Sequence, residues 1–239
     1  MKLLSFLFPE LVCCWVCAVK IYVPSSTEAW RKICTSCFDR FEEIAGFICQ
    51  KCGRLLKAAD WAICLDCQKI DNSFLIYNRS CVCYSVWVKN IICFYKHKGA
   101  ENLASPLGSW LADLAIRSFS KQKIDLISWV PLHPERLSER GFNQAKLLAL
   151  AVGANCRIPA TNLLFRKKET KPQASLKKAE RLTALEGVFG LDAKVYKATL
   201  CDKSILLVDD VYTTGATLRA CAEVLNLAGA KVFSVTFAR

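Results

Sequence analysis

The sequence predicts an α/β domain with a central, mostly parallel sheet flanked by helices, preceded by a small cysteine-rich module. Three observations predict it. Residues 204–238 read strand, helix, strand; eight of the fifteen cysteines fall as four C-x-x-C pairs inside the first 67 residues; and a short-period pattern gives way to long alternating elements after residue 70. A parallel pair joined by a helix in about 35 residues is the right-handed unit of α/β sheets. At 239 residues, 53% apolar and 23% charged, the chain can bury a sizeable core, and its composition excludes disorder.

The module spans about residues 10–70 and the larger domain 71–239. Its pairs are Cys14/Cys17, Cys34/Cys37, Cys49/Cys52 and Cys64/Cys67. Two thiolates two residues apart can face one ion from a tight knuckle, so two pairs complete a tetrahedral shell. The first two pairs are 16 residues apart and the last two 11, both feasible for zinc ribbons. One Zn2+ is assigned to Cys14, Cys17, Cys34 and Cys37 and a second to Cys49, Cys52, Cys64 and Cys67, with a crossed arrangement left open. The module has too few large apolar residues for a core of its own, so metal is expected to hold it together.

An odd cysteine count fits a reducing, cytoplasmic setting better than a fully paired secreted scaffold. Cys156, Cys201 and Cys221 are expected to pack as small apolar residues. The apolar start, MKLLSFLFPELVCCWVCAVKIYV, is interrupted by Pro9 and Glu10 and lacks a cleavage site, which argues against a signal peptide. No run reaches 18 apolar residues, so no membrane insertion is expected.

In the larger domain, apolar residues at three-to-four spacing predict helices over 85–95, 103–119 and 143–152. Residues 125–130 form a short apolar run ending at Pro131 and read as a strand. The segment 166–181 carries seven basic and two acidic residues with little periodicity and reads as a mobile loop. SILLVDD, 204–210, reads as a buried parallel strand. The helix after it turns Leu218, Cys221, Val224, Leu225 and Leu227 or Ala228 inward and stops at Gly229, before the strand 231–238.

The net charge is +12 and it is uneven: residues 1–70 hold 9 basic and 7 acidic side chains, residues 71–239 hold 24 and 14. An anionic partner therefore belongs to the larger domain. Its most informative segment is ILLVDDVYTTGATL, 205–218. Two carboxylates emerge at a strand's carboxyl end, and a hydroxyl-rich loop leads into a helix. That order suits a phosphorylated sugar. Backbone N–H groups around Thr213, Thr214, Gly215, Ala216 and Thr217, with the helix N-terminus, favour a phosphate, and the threonine hydroxyls add donors. Asp209 and Asp210 are acceptors suited to ribose hydroxyls or to water on a bound Mg2+. Neither a G-x-x-x-x-G-K nor a G-x-G-x-x-G pattern occurs in the loop, so neither a P-loop nor a dinucleotide fold is supported. PLHPERLSERGFNQ, 131–144, reads as a stiffened pyrophosphate loop in which Arg136 and Arg140 bind phosphate oxygens and Asn143 and Gln144 add neutral donors. His97 and His133 read as polar loop residues.

VDDVYTTGATL resembles the phosphoribosyl-pyrophosphate (PRPP) loop of type I phosphoribosyltransferases, and nearly the whole chain resembles the ComF family of competence-associated, phosphoribosyltransferase-like proteins. LFPELVCCWVC resembles that family's zinc-ribbon start, YKHKG (95–99) its basic turn, VPLHPERLSERGFNQA (130–145) its most specific signature, and Thr170, Gln173 and Leu176 its flexible loop. Where the family has Arg-x-x-Asn, this chain has Arg181-Leu182-Thr183-Ala184. The resemblance implies a type I phosphoribosyltransferase-like fold, a substrate loop running from Asp209, Asp210 and Val211 through Thr217, PRPP or a nucleotide-like ligand with Mg2+, and a role in DNA uptake and transformation. It points to single-stranded DNA and proteins of the competence machinery as partners. Trp87 and Phe142 are the aromatics considered for stacking on bases. Turnover, as in nucleotide metabolism, would add Asp209, Asp210, Arg140 and Lys168 as catalytic groups, with Lys167 and Lys171 also near the leaving pyrophosphate. A PRPP-sensing regulator uses the same pocket without chemistry. No acceptor base is specified by the sequence.

Overall fold

The computed structural model describes residues 9–56, 62–70, 74–97, 99–167, 187–195 and 197–239. The module opens with an antiparallel hairpin of β1 (Pro9–Cys13) and β2 (Lys20–Pro24), followed by the single-turn helices α1 (Thr35–Phe38) and α2 (Leu65–Gln68). Then come β3 (Asn78–Val82), α3 (Val86–Tyr95), α4 (Ala104–Ser118), β4 (Leu126–Trp129), α5 (Pro134–Arg140), α6 (Gln144–Cys156), β5 (Leu164–Arg166), β6 (Phe189–Leu191), β7 (Ser204–Val211), α7 (Ala216–Asn226) and β8 (Lys231–Ala238). The main sheet has the order β3-β8-β7-β4, and all three of its strand pairs are parallel. Strands β5 and β6 form a separate antiparallel pair.

Local chemistry explains the helices. Ser85 caps α3 by accepting the Val88 N–H at 3.2 Å, and Asn143 caps α6 through the Lys146 N–H at 3.2 Å. In α7 the buried stripe is Leu218, Cys221, Ala222 and Leu225; Ala228 packs partly inward while Leu227 stays exposed. Cys221 is buried and Cys156 half-buried, but Cys201 is exposed, a departure from its expected packing.

Sequence pattern alone does not mark β3, whose Asn78, Arg79 and Ser80 are polar. Burial of Asn78 and Ser80 becomes favourable beside β8: the Ser234 hydroxyl donates to Asn78 Oδ1 (2.9 Å), Asn78 Nδ2 donates to Ser80 Oγ (3.0 Å), and Ser80 shares a hydroxyl bond with Thr236 (2.7 Å). The unpaired edge of β3 is covered by the module. Ile44 N–H donates to the Cys81 carbonyl at 3.0 Å and Cys83 N–H to Glu42 at 2.8 Å.

Aromatic packing binds the module to the sheet domain as well. Trp30 stacks on Trp110 of α4 at 4.8 Å between ring centroids, and Phe41 meets both Trp110 (5.3 Å) and Phe237 of β8 (6.2 Å) edge-on. The module thus completes its small core by borrowing apolar surface from α4 and β8. Gly53, in the third knuckle, sits at φ +72°, where a Cβ would stand 2.8 Å from the Asn78 carbonyl, so only glycine lets the knuckle lie against β3.

Candidate functional site

The site forms at the carboxyl ends of the parallel strands, where open α/β sheets bind ligands. Four buried residues, Ile205 to Val208, carry β7 through the core, and Asp209 and Asp210 follow where the strand emerges. Asp210 N–H donates to Asp209 Oδ1 at 2.9 Å. The two carboxyls behave differently. Burial, reinforced by the neighbouring Asp210 charge, pushes Asp209 well above the ordinary carboxylate range. Burial also opposes the charge on Asp210, but the ion pair with Lys96 outweighs it and holds that carboxyl below its ordinary value. Lys96, at the C-cap of α3, is held protonated against its own burial by the same pair. Arg140 lies within electrostatic reach of Lys96 and Asp210.

Lys96 is the partner of the acid pair that sequence reasoning missed. Its signal was the YKHKG turn, but nothing local says that a lysine there meets an aspartate at the end of β7.

Beyond the acids the chain turns through Tyr212, Thr213, Thr214 and Gly215 into α7. Gly215 adopts φ +76°, and a Cβ there would run into the Tyr212 phenol and stand 2.8 Å from Arg219 Nη1. Glycine is required because the Tyr212 ring is folded under the loop. Burial raises the Tyr212 phenol to about 12 against the pull of Arg219 and Arg239. Arg219 Nη1 donates to the Thr214 carbonyl at 2.9 Å, and Ala216 N–H meets Thr214 Oγ1 at 3.4 Å. The backbone N–H groups of Thr213, Thr214 and Gly215 pair with no acceptor among the described residues. Thr213 is exposed and Thr214 half-buried, while Ala216 is buried at the start of the helix and Thr217 is half-buried. Val211 closes the strand.

The segment 131–144 departs from the expected loop: Pro134 at the helix start fixes φ, and residues 134–140 form the two-turn helix α5, ended by Gly141 in the left-handed region. Arg136 and Arg140, four residues apart, share one face of it. Arg140 Nη1 donates to Gln144 Oε1 at 3.1 Å, and Gln144 Nε2 is buried with no partner among the described residues. Asn143 departs from its expected role as a donor to ligand: its amide caps α6 and donates to the Val130 carbonyl at 3.1 Å, so it holds the turn. Phe142 is buried against Tyr95 and Trp87 is covered by the Arg40 guanidinium at 3.6 Å, so neither is an open stacking platform. Lys168, Lys171, Thr170, Gln173, Leu176 and the Arg181 to Ala184 stretch lie outside the described residues, whereas Lys167 follows β5.

The cysteines resolve into the uncrossed arrangement. Cys14, Cys17, Cys34 and Cys37 form one group and Cys49, Cys52, Cys64 and Cys67 another, with all ligand sulfurs of a group within 4.8 Å of one another. The Cys17 and Cys34 sulfurs are 3.7 Å apart and those of Cys52 and Cys64 3.6 Å. Tetrahedral zinc with Zn–S bonds of about 2.3 Å requires sulfurs about 3.8 Å apart, so both groups fit the ion.

No protein-family model matches the chain. It is 35% identical over 216 residues to the competence protein ComFC of Bacillus subtilis, covering 87% of this chain and 85% of that protein. Identity to the competence protein ComFC of Streptococcus pneumoniae is 30%, over 83% of each chain. The DNA utilization protein YhgH of Salmonella typhimurium is 28% identical over 93% of this chain and 94% of its own length. Among solved structures, the purine phosphoribosyltransferase of Pyrococcus horikoshii is similar over 58% of this chain and 72% of its own, with 19% identity and a TM-score of 0.33. With two relatives matched along most of both chains and the two four-cysteine groups in place, the chain belongs to the ComFC family of competence proteins.

Proposed function

We propose that the chain binds PRPP, or a related sugar phosphate, with Mg2+ and acts in DNA uptake during natural competence. The observation that carries this reading is the run of acid pair, open-amide loop and helix N-terminus at the end of β7. The amides of Thr213, Thr214 and Gly215, with the Thr213, Thr214 and Thr217 hydroxyls, take the 5′-phosphate. Asp210, kept anionic by Lys96, accepts from the ribose hydroxyls together with Asp209. Arg140 and Gln144, with Arg136 on the same face of α5, receive the diphosphate. Mg2+ supplies charge neutralisation of that diphosphate. Each four-cysteine group holds one structural Zn2+.

The competence role is supported by the names of the two ComFC relatives, and it implies single-stranded DNA and other competence proteins as partners in the cytoplasm. Among the described residues no helix is long and apolar enough to cross a membrane. Calorimetry with PRPP and Mg2+ tests the pocket: wild type binds and Asp209→Ala/Asp210→Ala does not. A pyrophosphate-release assay with mixed bases then separates a transferase from a PRPP-sensing protein. Equal binding by wild type and the double variant removes the reading.

A further inference from the structure

The second four-cysteine group is built into the sheet domain. The knuckle of Cys49 and Cys52 is bonded to β3: Asn78 N–H donates to the Lys51 carbonyl at 2.7 Å and Asn78 Nδ2 to the Cys52 carbonyl at 3.3 Å. All four cysteines of this group are buried, whereas in the first group Cys17 is exposed and Cys34 half-buried. Zn2+ on four thiolates is a dianion, and a buried dianion needs cations beside it where an exposed one has water. The guanidinium groups of Arg79 and Arg239 both lie within electrostatic reach of Cys52.

These two arginines differ. Arg79 Nη1 donates to the Gln50 and Asn78 carbonyls at 3.1 and 2.7 Å. Arg239 follows β8, and its backbone is fixed on both sides, donating to the Val82 carbonyl at 3.0 Å and accepting the Tyr84 N–H at 2.7 Å. Its side-chain Nε and Nη1 are buried with no hydrogen-bond partner among the described residues. Charged donors left in that state are costly unless negative charge lies close by.

Arg239 also reaches the loop between β7 and α7. Its guanidinium stacks on the Tyr212 ring at 4.3 Å from the centroid. That ring is folded under Gly215, and Arg219 holds the Thr214 carbonyl beside it at 2.9 Å. A cavity of only about 20 Å³ separates the two sides: Asp66, Cys67 and Ile70 line it from the module, Tyr212, Thr213 and Thr214 from the loop, and Arg239 completes it. That is room for about one water, so ligand cysteine and loop are set close together. The first group packs elsewhere: Trp15, beside Cys14, donates its ring N–H to the Trp30 carbonyl at 2.9 Å and meets Phe41 at 5.9 Å between ring centroids.

We infer that Arg239 is a positioning residue that ties the second zinc group to the sugar-phosphate loop: its charge offsets the buried tetrathiolate while its flat face holds Tyr212 under Thr213, Thr214 and Gly215. Zinc at the second group then sets the shape of the loop, and zinc at the first does not. The link deepens the sugar-phosphate reading and rests on it for its consequence, that a filled second group favours PRPP. Coupling of this kind is reciprocal, so bound PRPP retards loss of that zinc.

The test uses full-length, zinc-loaded, 15N-labelled protein without ligand. Zinc release to 4-(2-pyridylazo)resorcinol and amide spectra are followed together, and each zinc is assigned by the amides of its own knuckles. Wild type releases one zinc fast, from the exposed group, and one slowly, from the buried group. Arg239→Met speeds the slow release about tenfold or more, leaves the fast release unchanged and shifts the amides of Thr213, Thr214 and Gly215. Arg239→Lys restores the charge without the flat face, so slow release returns toward wild type while the loop amides stay displaced. PRPP with Mg2+ slows only the slow release of wild type. Unchanged slow release in Arg239→Met, or equal acceleration of both releases, overturns the inference. So do loop amides that keep their wild-type positions in both variants. Should Arg239→Met fail to fold, Arg239→Lys decides alone: displaced loop amides with slow release kept support the link, and undisplaced amides overturn it. Failure of wild type to bind PRPP strikes the sugar-phosphate reading, and zinc release and loop amides of the ligand-free protein still decide the link.

Discussion

Replacing Lys96 by methionine removes the cation that keeps Asp210 ionised. Breaking a fully buried ion pair costs about 3–5 kcal/mol, whereas an exposed pair contributes about 0–1 kcal/mol. The Lys96 and Asp210 side chains are 31% and 14% exposed, between these limits, so Lys96→Met is expected to cost about 2 kcal/mol at pH 7. In a chain of this size that lowers the melting temperature by about 4–8 °C. The pH dependence is diagnostic. With its folded-state pKa depressed, Asp210 contributes stability that is fully present above its unfolded value and lost as the pH falls through the folded value. Without Lys96 that carboxyl, buried beside Asp209, titrates upward. The deficit of the variant relative to wild type is then largest at neutral pH and shrinks in acid as the variant's Asp210 takes up a proton. Urea denaturation of both proteins across pH 5 to 7 measures this, and Lys96→Met/Asp210→Asn should recover part of the loss because no charge is left uncompensated. Equal stability at pH 7, or a deficit that grows as the pH falls, would refute the reasoning.

Elemental analysis should return two zinc atoms per chain, and a chelator should release thiols together with module structure; zero or one atom sinks the two-site assignment. Trp30→Ala removes the stack on Trp110, and a loss of about 3–5 kcal/mol is expected, with the module's amides exchanging faster; a loss under about 1 kcal/mol means the module does not depend on that contact. Gly215→Ala forces a left-handed residue against the Tyr212 phenol and should both destabilise the chain, by about 1 kcal/mol or more, and weaken PRPP binding at least tenfold; wild-type affinity in that variant shows that the loop does not hold the phosphate. Single-stranded DNA affinity should fall with log salt at a slope of about −0.7 per neutralised phosphate, while PRPP binding falls much less; matching slopes mean that the two ligands share one electrostatic groove.

What could be read in advance was what neighbours in sequence determine together. Ile205 to Val208 declare a strand, the following acids, threonines and glycine declare a loop and helix start, and C-x-x-C spacing declares knuckles. The unread parts are pairings between distant segments. β3 is polar because its partners are Ser234 and Thr236 on β8. Lys96 gains its role only when α3 ends beside β7. Asn143 looked like a ligand donor because its cap and its bond to Val130 depend on how the 131–144 segment turns. α5 was hidden because Pro134 reads as a stiff turn and as a first helical residue with equal ease. The docking of Trp30 and Phe41 onto α4 and β8 was likewise invisible, since a module poor in apolar residues gives no hint of where it borrows a core.

The central claim, that the turn between β7 and α7 cradles a sugar phosphate, is tested most directly by amide NMR of the 15N-labelled protein during titration with PRPP and Mg2+. The account predicts saturable shifts centred on the amides of Thr213, Thr214, Gly215 and Thr217, absent in Asp209→Ala/Asp210→Ala. Shifts that leave those amides unmoved while others saturate, or no shifts at all, would contradict it.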